Sequence, residues 1–168
     1  MISKRHLANP WLVCIPILII FLLDVFILGK NEPLSDGIRY WKTADDILDG
    51  FKATPILEGY LLANGPLYPL LLAFFKGLGF SVKACIYLNA FFLYFGFTFF
   101  FKTITQFVSF TKGIIATYVL VFIDPFLFYW GAKLYSEPLA ILWVCLLLYY
   151  SLQLFKNPKS NTIFKVSA

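Results

Sequence analysis

Residues 11–28 read WLVCIPILIIFLLDVFIL, an apolar run that contains one charged residue, Asp24. Because an α-helix rises about 1.5 Å per residue, a run of about 20 apolar residues can cross the roughly 30 Å hydrocarbon core of a bilayer. The run therefore predicts a membrane-spanning helix over Trp11–Leu28. The basic residues Lys4 and Arg5 precede the run, and no small-residue cleavage site follows it, so we expect a retained anchor and not a signal peptide.

Three further apolar runs predict three more spans, at Val82–Phe101, Gly113–Trp130 and Pro138–Phe155. The composition agrees, since 60% of the 168 residues are hydrophobic, 20% are aromatic and only 14% are charged. A soluble fold could not cover so many aromatic rings without exposing large apolar patches. We therefore expect an all-α membrane protein of about four transmembrane helices, forming a single membrane domain over residues 1–168. The three cysteines lie in apolar runs without CxxC spacing, which predicts neither a disulfide framework nor a metal site.

The charges are scattered singly or in pairs, which argues against a nucleic-acid-binding protein. If the amino terminus is cytoplasmic, the cytoplasmic segments carry cations but no acid, and all nine carboxylates fall in the outer loops or in the spans. The numbers of Lys and Arg on the two sides are equal, so the orientation rests on the doubly charged start and the basic tail. We therefore predict a multi-pass protein of the cell membrane or bacterial inner membrane, with both termini cytoplasmic.

The predicted outer loop covers residues 29–81 and contains two further helices. Ser35 is a candidate N-cap for a helix over Asp36–Asp49, and Gly50 is placed to end that helix. The apolar residues of the helix recur at helical spacing and are expected to face the membrane surface: Ile38, Trp41, Ala44, Leu48 and Phe51. A polar stretch at 54–65 follows. The next run, Pro66–Phe80, is short for a span and predicts an interfacial or re-entrant helix.

Three short motifs occur in a characteristic order: SDGIRY at Ser35–Tyr40, GPLYPLL at Gly65–Leu71 and LYSEPL at Leu134–Leu139. In this order and at these distances they resemble the amino-terminal part of the membrane-embedded GT-C glycosyltransferases, in the branch of the protein O-mannosyltransferases and aminoarabinose transferases. Those enzymes carry further spans beyond the ones seen here. The resemblance therefore implies an amino-terminal module, with a second chain as one possible source of the missing helices.

The resemblance implies transfer of a sugar from a polyprenyl-phosphate carrier to an acceptor on the outer face, with inversion at the anomeric carbon. The acceptor hydroxyl needs a base as it attacks, and Asp36 matches the acidic residue that the family places just after its first span. The same carboxylate could instead help to hold a divalent cation, the one cofactor that the resemblance suggests. Glu137 is the second catalytic candidate. From the residues alone, Asp36 could equally be a first-turn acid and Glu137 a partner of the helix dipole.

The expected substrate-binding residues are Arg39, Tyr40, Lys83 and Lys133, which lie at the outer membrane boundary and could contact the carrier phosphate and the sugar. Interfacial snorkelling of the cations and membership of the aromatic belt are the alternatives for these residues. Asp124, inside the third predicted span, is expected to pair with Lys133 or with polar groups of the outer loop. Two other functions stay open: a non-catalytic module that binds or moves a lipid-linked sugar, and an inactive fragment.

Overall fold

The computed structural model describes residues 9–50 and 66–156, and within these ranges all regular structure is helical. The seven helices of the described part are α1 (Pro10–Leu28), α2 (Asp36–Leu48), α3 (Leu67–Gly77), α4 (Val82–Ile104), α5 (Phe110–Ile123), α6 (Phe126–Gly131) and α7 (Glu137–Lys156). Helices α1, α4 and α7 are long and apolar enough to cross a membrane, which indicates an integral multi-pass membrane protein. The predictions for the two termini and for the stretch at 54–65 lie outside the described residues.

Helix α4 is the centre of the bundle, and it packs most extensively against α7 and next against α1. Its buried side chains include Leu93, Phe97 and the polar Asn89. Gly96 lets α7 approach closely, because a Cβ at this position would lie 3.3 Å from the Cα of Leu142. Large apolar side chains on the outer faces of α1, α5 and α7 are exposed, as lipid-facing side chains would be: Leu23, Phe26, Ile115, Val119, Val144 and Leu148.

One end of the bundle is marked by the last residue of α4, and we call it the Ile104 end. The ring centroids of Phe101 on α4 and Phe110 at the start of α5 lie 5.4 Å apart there. At the same end Lys156, the last residue of α7, donates from Nζ to Oε1 of Gln106 at 2.8 Å. Helix α5 therefore begins, and α7 ends, where α4 ends.

The opposite end is marked by the first residue of α4, and we call it the Val82 end. Asn89 lies two turns into α4, and its Nδ2 donates to the carbonyl of Lys133 at 2.6 Å. Lys133 belongs to the link between α6 and α7, and the same link lines a cleft together with Leu28 at the end of α1. The chain from α5 through α6 thus leads from the Ile104 end to the Val82 end, and α7 returns.

The prediction of one continuous helix over Gly113–Trp130 is wrong, because the chain breaks between α5 and α6. Asp124 is extended there (φ −106°, ψ 99°), and its Oδ1 accepts a hydrogen bond from the N–H of Phe126 at 2.9 Å. A residue before a proline avoids the α conformation, and Pro125 has no N–H to continue the hydrogen bonding of α5. Asp124 therefore bonds to a neighbouring backbone N–H. The predicted partners were Lys133 and polar groups of the outer loop.

The two helices of the predicted outer loop are present. Helix α2 begins at Asp36, as predicted, and ends at Leu48; Gly50 follows with a φ of +87°, which confirms its role in ending the helix. Helix α3, Leu67–Gly77, has 11 residues. At about 1.5 Å per residue, α3 is only about half as long as the hydrocarbon core is thick, so it is too short to cross a bilayer, as predicted.

The predicted side-chain cap at Ser35 is wrong. Ser35 has a φ of +51° and a ψ of −125°, and its hydroxyl makes no capping bond to α2. The N–H of Gly37 instead donates to the carbonyl of Leu34 at 2.9 Å, which closes a tight turn with Ser35 at its second position. The signs of these dihedrals match the first central residue of a type II′ turn, a position that favours glycine.

One face of α2 packs against α3, and of the predicted apolar residues Ala44 lies on that face. The buried residues of α2 are Gly37, Tyr40, Thr43 and Ala44, whereas Ile38 and Leu48, both predicted to lie on the apolar face, are 41% and 48% exposed. The ring centroids of Tyr40 and Tyr68 of α3 lie 5.0 Å apart, edge to face. Successive side chains of a helix point about 100° apart. The side chains of α2 that are buried are therefore those on the stripe that faces α3.

A charged contact also joins the two loop helices. Lys76 near the end of α3 forms an ion pair with Asp45 of α2, and its Nζ lies 4.1 Å from the ring centroid of Trp41. Lys76 is the one charged residue of α3. Its pairing lets an otherwise apolar helix pack against α2 with its cation neutralised.

Candidate functional site

The elements that carry Asp36 and Glu137 meet at the Val82 end. The hydroxyl oxygens of Tyr40 on α2 and Ser136, just before α7, lie 3.0 Å apart in a hydrogen bond. Gly37 packs closely on the same link, since a Cβ there would lie 3.0 Å from the carbonyl oxygen of Leu134. The start of α2 and the start of α7 are therefore held together, with Asp36 and Glu137 next to the contacting residues in sequence.

Asp36 lies in the first turn of α2 and is largely exposed. Its Oδ1 is 3.8 Å from Nη1 of Arg39, and the two side chains are 62% and 69% exposed. A solvated pair of this kind contributes little to stability, because water screens both charges. Asp36 is thus accessible to a ligand.

Glu137 lies in a different environment, at the first residue of α7. Its Oε2 is buried, and no hydrogen-bond donor reaches this atom from the described residues. A buried polar atom without a partner costs about 1–3 kcal/mol, although the positive end of the α7 dipole favours an acid here. Glu137 therefore has an oxygen that a ligand hydroxyl or cation could satisfy.

Lys133 is surrounded by two tyrosines at the same end. Its Nζ lies 3.3 Å from the ring centroid of Tyr129 and 5.9 Å from that of Tyr135. Burial raises the pKa of Tyr135, and its hydrogen bond with Tyr129 raises it further, while a hydrogen bond with Ser35 lowers it. The cluster connects the turn before α2 with the α6–α7 link.

A cleft with a volume of about 240 Å³ opens beside this cluster. Its lining residues come from the end of α1, the following loop, α4, α6 and the α6–α7 link: Leu28, Lys30, Glu32, Leu34, Ile86, Tyr129, Ala132, Lys133 and Leu134. Two ammonium groups and one carboxylate thus lie around a mainly apolar cleft. An anion with an attached apolar group would match this combination, because Lys30 and Lys133 can donate to it.

The predicted substrate-binding residues do not all lie at this cleft. Lys133 lines it, whereas Tyr40 is buried between α2, α3 and the α6–α7 link, and Arg39 pairs with Asp36 on α2. Lys83 Nζ lies 5.8 Å from the ring centroid of Phe26 on α1. Sequence reasoning missed Lys30, Glu32 and Tyr129. The sequence offered one reason to consider these three residues, namely that they lie close to the outer ends of predicted spans.

A series of buried hydrogen bonds connects the α6–α7 link to α3 and α4. Tyr68 on α3 donates from its hydroxyl to Oδ1 of Asn89 at 3.5 Å, and Nδ2 of Asn89 donates to the carbonyl of Lys133. Asn89 is fully buried, and burial strongly raises the pKa of Tyr68. Because buried polar groups are costly unless paired, this series of hydrogen bonds fixes α3, α4 and the link relative to one another.

Within residues 9–50 and 66–156, no group of three or more His, Cys, Asp or Glu side chains is arranged to hold a metal ion. A divalent cation bound here would therefore take most of its ligands from a bound phosphate and from water. Comparison of the chain with known protein families, curated proteins and solved structures finds no match.

Proposed function

We propose that this protein is a glycosyltransferase-like membrane protein that transfers a sugar from a polyprenyl-phosphate carrier to an acceptor on the outer face of the membrane. One observation carries the proposal. The start of α2, which bears Asp36, and the start of α7, which bears Glu137, are in contact at one end of the bundle, and a cleft lined by two lysines lies beside them. These are the groups that activation of a hydroxyl and binding of a phosphate require.

The topology that we propose has four crossings: α1, α4, the α5–α6 pair and α7. Its support is that the chain from α5 to α6 leads from the Ile104 end to the Val82 end, and α7 returns. An even number of crossings leaves both termini on the Ile104 side, which we assign to the cytoplasm. Because Lys and Arg are equally numerous on the two sides, this assignment rests on Lys4 and Arg5 at the start of the chain and on its basic tail.

In the proposed reaction the carrier phosphate lies against Lys30 and Lys133, with the sugar directed towards Asp36. The acceptor hydroxyl attacks the anomeric carbon from the face opposite the phosphate, and the bond between that carbon and the phosphate oxygen breaks. The hydroxyl proton passes to Asp36, and the negative charge stays on the departing phosphate, where the two lysines stabilise it. Glu137 orients the acceptor through its unpartnered oxygen. Alternatively, Asp36 would help to hold a divalent cation, which would neutralise negative charge on the phosphate.

A second candidate function is binding of a lipid-linked sugar without catalysis. The observation in its favour is the exposed Asp36–Arg39 pair, because an acid that already pairs with a cation on its own helix can be explained without a catalytic role. The cleft would then bind the carrier phosphate, and no bond would be broken.

The experiment compares Asp36→Asn with Asp46→Asn, which removes a charge from the same helix away from its first turn. Each full-length variant is incubated with polyprenyl-phosphate carrying labelled sugar and a membrane extract as acceptor. Asp36→Asn is expected to lower transfer by about a hundredfold and to keep donor binding, because a general base acts on the barrier more than on ground-state affinity. Asp46→Asn should behave as wild type.

The outcomes separate the candidates. Donor binding by wild type without any transfer supports the binding module. Undiminished transfer in Asp36→Asn, with the variant shown to be inserted and folded, contradicts the role of Asp36. Failure of the wild-type protein to bind the donor contradicts both candidates.

A further inference from the structure

We propose that the Ile104 end of the bundle binds the headgroup of an anionic phospholipid. Three lysines lie there on three helices: Lys102 in the last turn of α4, Lys112 in the first turn of α5 and Lys156 at the end of α7. The helix ends and the link that meet at this end, residues 9–16, 99–116 and 149–156, contain no carboxylate. The described part of the chain therefore leaves the positive charge of this end unbalanced.

Aromatic rings hold Lys102 in place without neutralising it. Its Nζ lies 4.6 Å from the ring centroid of Tyr149, 4.9 Å from that of Phe99 and 5.5 Å from that of Trp11. The three rings come from α7, α4 and α1. A cation–π contact orients an ammonium group, but the charge of the group remains available to an anion.

Lys156 is also held by a neutral group. Its Nζ donates to Oε1 of Gln106 at 2.8 Å, and Nε2 of Gln106 donates to the carbonyl of Lys102 at 3.3 Å. The glutamine thus ties α7 to the end of α4 without adding negative charge. At the Val82 end, by contrast, Lys76 pairs with Asp45.

The helix dipoles account for two of the three lysines but not for Lys112. A cation in the last turn of a helix is favoured, as for Lys102 and Lys156, whereas a cation in the first turn opposes the dipole. Helix α5 has no acid in its first turn, and Lys112 is exposed. An external anion near the start of α5 would offset this unfavourable placement.

Exposed phenyl rings beside the lysines favour a phospholipid over a soluble anion. Phe107 is 69% exposed, Phe110 38% and Phe155 85%. The ring centroid of Phe107 lies 5.7 Å from Nζ of Lys156. Cations and apolar rings therefore adjoin at the ends of membrane helices, where a phosphate headgroup and its acyl chains would contact them together.

The test uses the full-length protein purified in detergent and mixed with phosphatidylglycerol or phosphatidylcholine, and native mass spectrometry measures the lipid that stays bound. We expect retention of phosphatidylglycerol over phosphatidylcholine. Lys112→Gln should weaken phosphatidylglycerol binding about fivefold, since each lysine near a membrane surface contributes about that factor. The triple change Lys102→Gln, Lys112→Gln, Lys156→Gln should abolish the preference. The matched control is Lys42→Gln, which removes an exposed lysine of α2 near the Val82 end.

Three results would overturn the proposal. The first is equal retention of the two lipids by the wild-type protein. The second is an equal loss in Lys42→Gln and Lys112→Gln, which would show a general effect of net charge. The third is displacement of phosphatidylglycerol by equimolar inorganic phosphate, which would assign the site to a soluble anion. If the triple variant does not fold, the comparison of Lys112→Gln with Lys42→Gln decides.

Discussion

Replacement of Gly37 by alanine tests whether the close packing of α2 on the α6–α7 link holds the site together. A Cβ at residue 37 would lie 3.0 Å from the carbonyl oxygen and 3.1 Å from the Cβ of Leu134. Because backbone cannot move aside as a flexible side chain does, α2 must shift outward. Overpacking of this kind costs about 1–3 kcal/mol. Alanine regains up to about 1 kcal/mol in helix propensity. We therefore expect a net loss centred on about 1–2 kcal/mol and no larger than about 3 kcal/mol.

Gly77→Ala provides the matched control for Gly37→Ala. It is also a helical glycine, but its Cβ would meet only the Cδ2 of Leu48, at 3.3 Å, which is the far end of a side chain. This variant should therefore be as stable as wild type or more stable. The assay is thermal unfolding of the purified variants in the same detergent, followed by helical circular dichroism.

The packing at Gly37 should also affect the site. A shift of about 1 Å in Asp36 is enough to lower a positioned reaction by about a hundredfold. Sugar transfer by folded Gly37→Ala should therefore fall much more than transfer by Gly77→Ala. Equal stability and equal transfer in the two variants would show that the contact with Leu134 neither holds α2 nor positions Asp36.

Two further predictions concern the topology and the turn before α2. Cysteines placed at Lys42 and Lys112, both exposed, should be labelled by an impermeant thiol reagent from opposite sides of the membrane; labelling of both from one side would contradict the four-crossing topology. Ser35→Gly should raise the free energy of unfolding by about 1 kcal/mol, because glycine relieves the positive φ, whereas Ser35→Val should lower it. A lower stability of Ser35→Gly than of Ser35→Val in chemical unfolding would refute the turn geometry.

The sequence predicted the long helices well because their signal is local. The apolar runs over 11–28, 82–101 and 138–155 each correspond to one helix, with ends within a few residues of those expected. The start of α2 at Asp36 and its end before Gly50 were also predictable, since a left-handed glycine after an amphipathic run stops a helix. These features depend on neighbouring residues alone.

The remaining features depend on competition between local and tertiary contacts. The side chain of Asp124 bonds to the backbone and ends α5, although hydropathy alone continues the run through residue 130. The buried stripe of α2 is set by α3, which no periodicity of α2 itself reveals. The candidate acids Asp36 and Glu137 were chosen from sequence motifs. Lys30 and Glu32 could not be chosen in this way, because they line the cleft only where α1, α4 and the α6–α7 link pack together.

The break between α5 and α6 also has a consequence for water. Pro125 has no N–H for the carbonyl of Val121, and the N–H of Phe126 is taken by Asp124 Oδ1. The N–H of Leu127 donates to the carbonyl of Asp124 at 3.2 Å. The last carbonyls of α5 therefore lose their helical donors, and at membrane depth such groups are tolerated only beside protein or a hydrated cavity. We therefore expect the amides of Asp124, Phe126 and Leu127, which lie outside the regular hydrogen bonding of α5, to exchange with deuterium faster than the amides in the middle of α4.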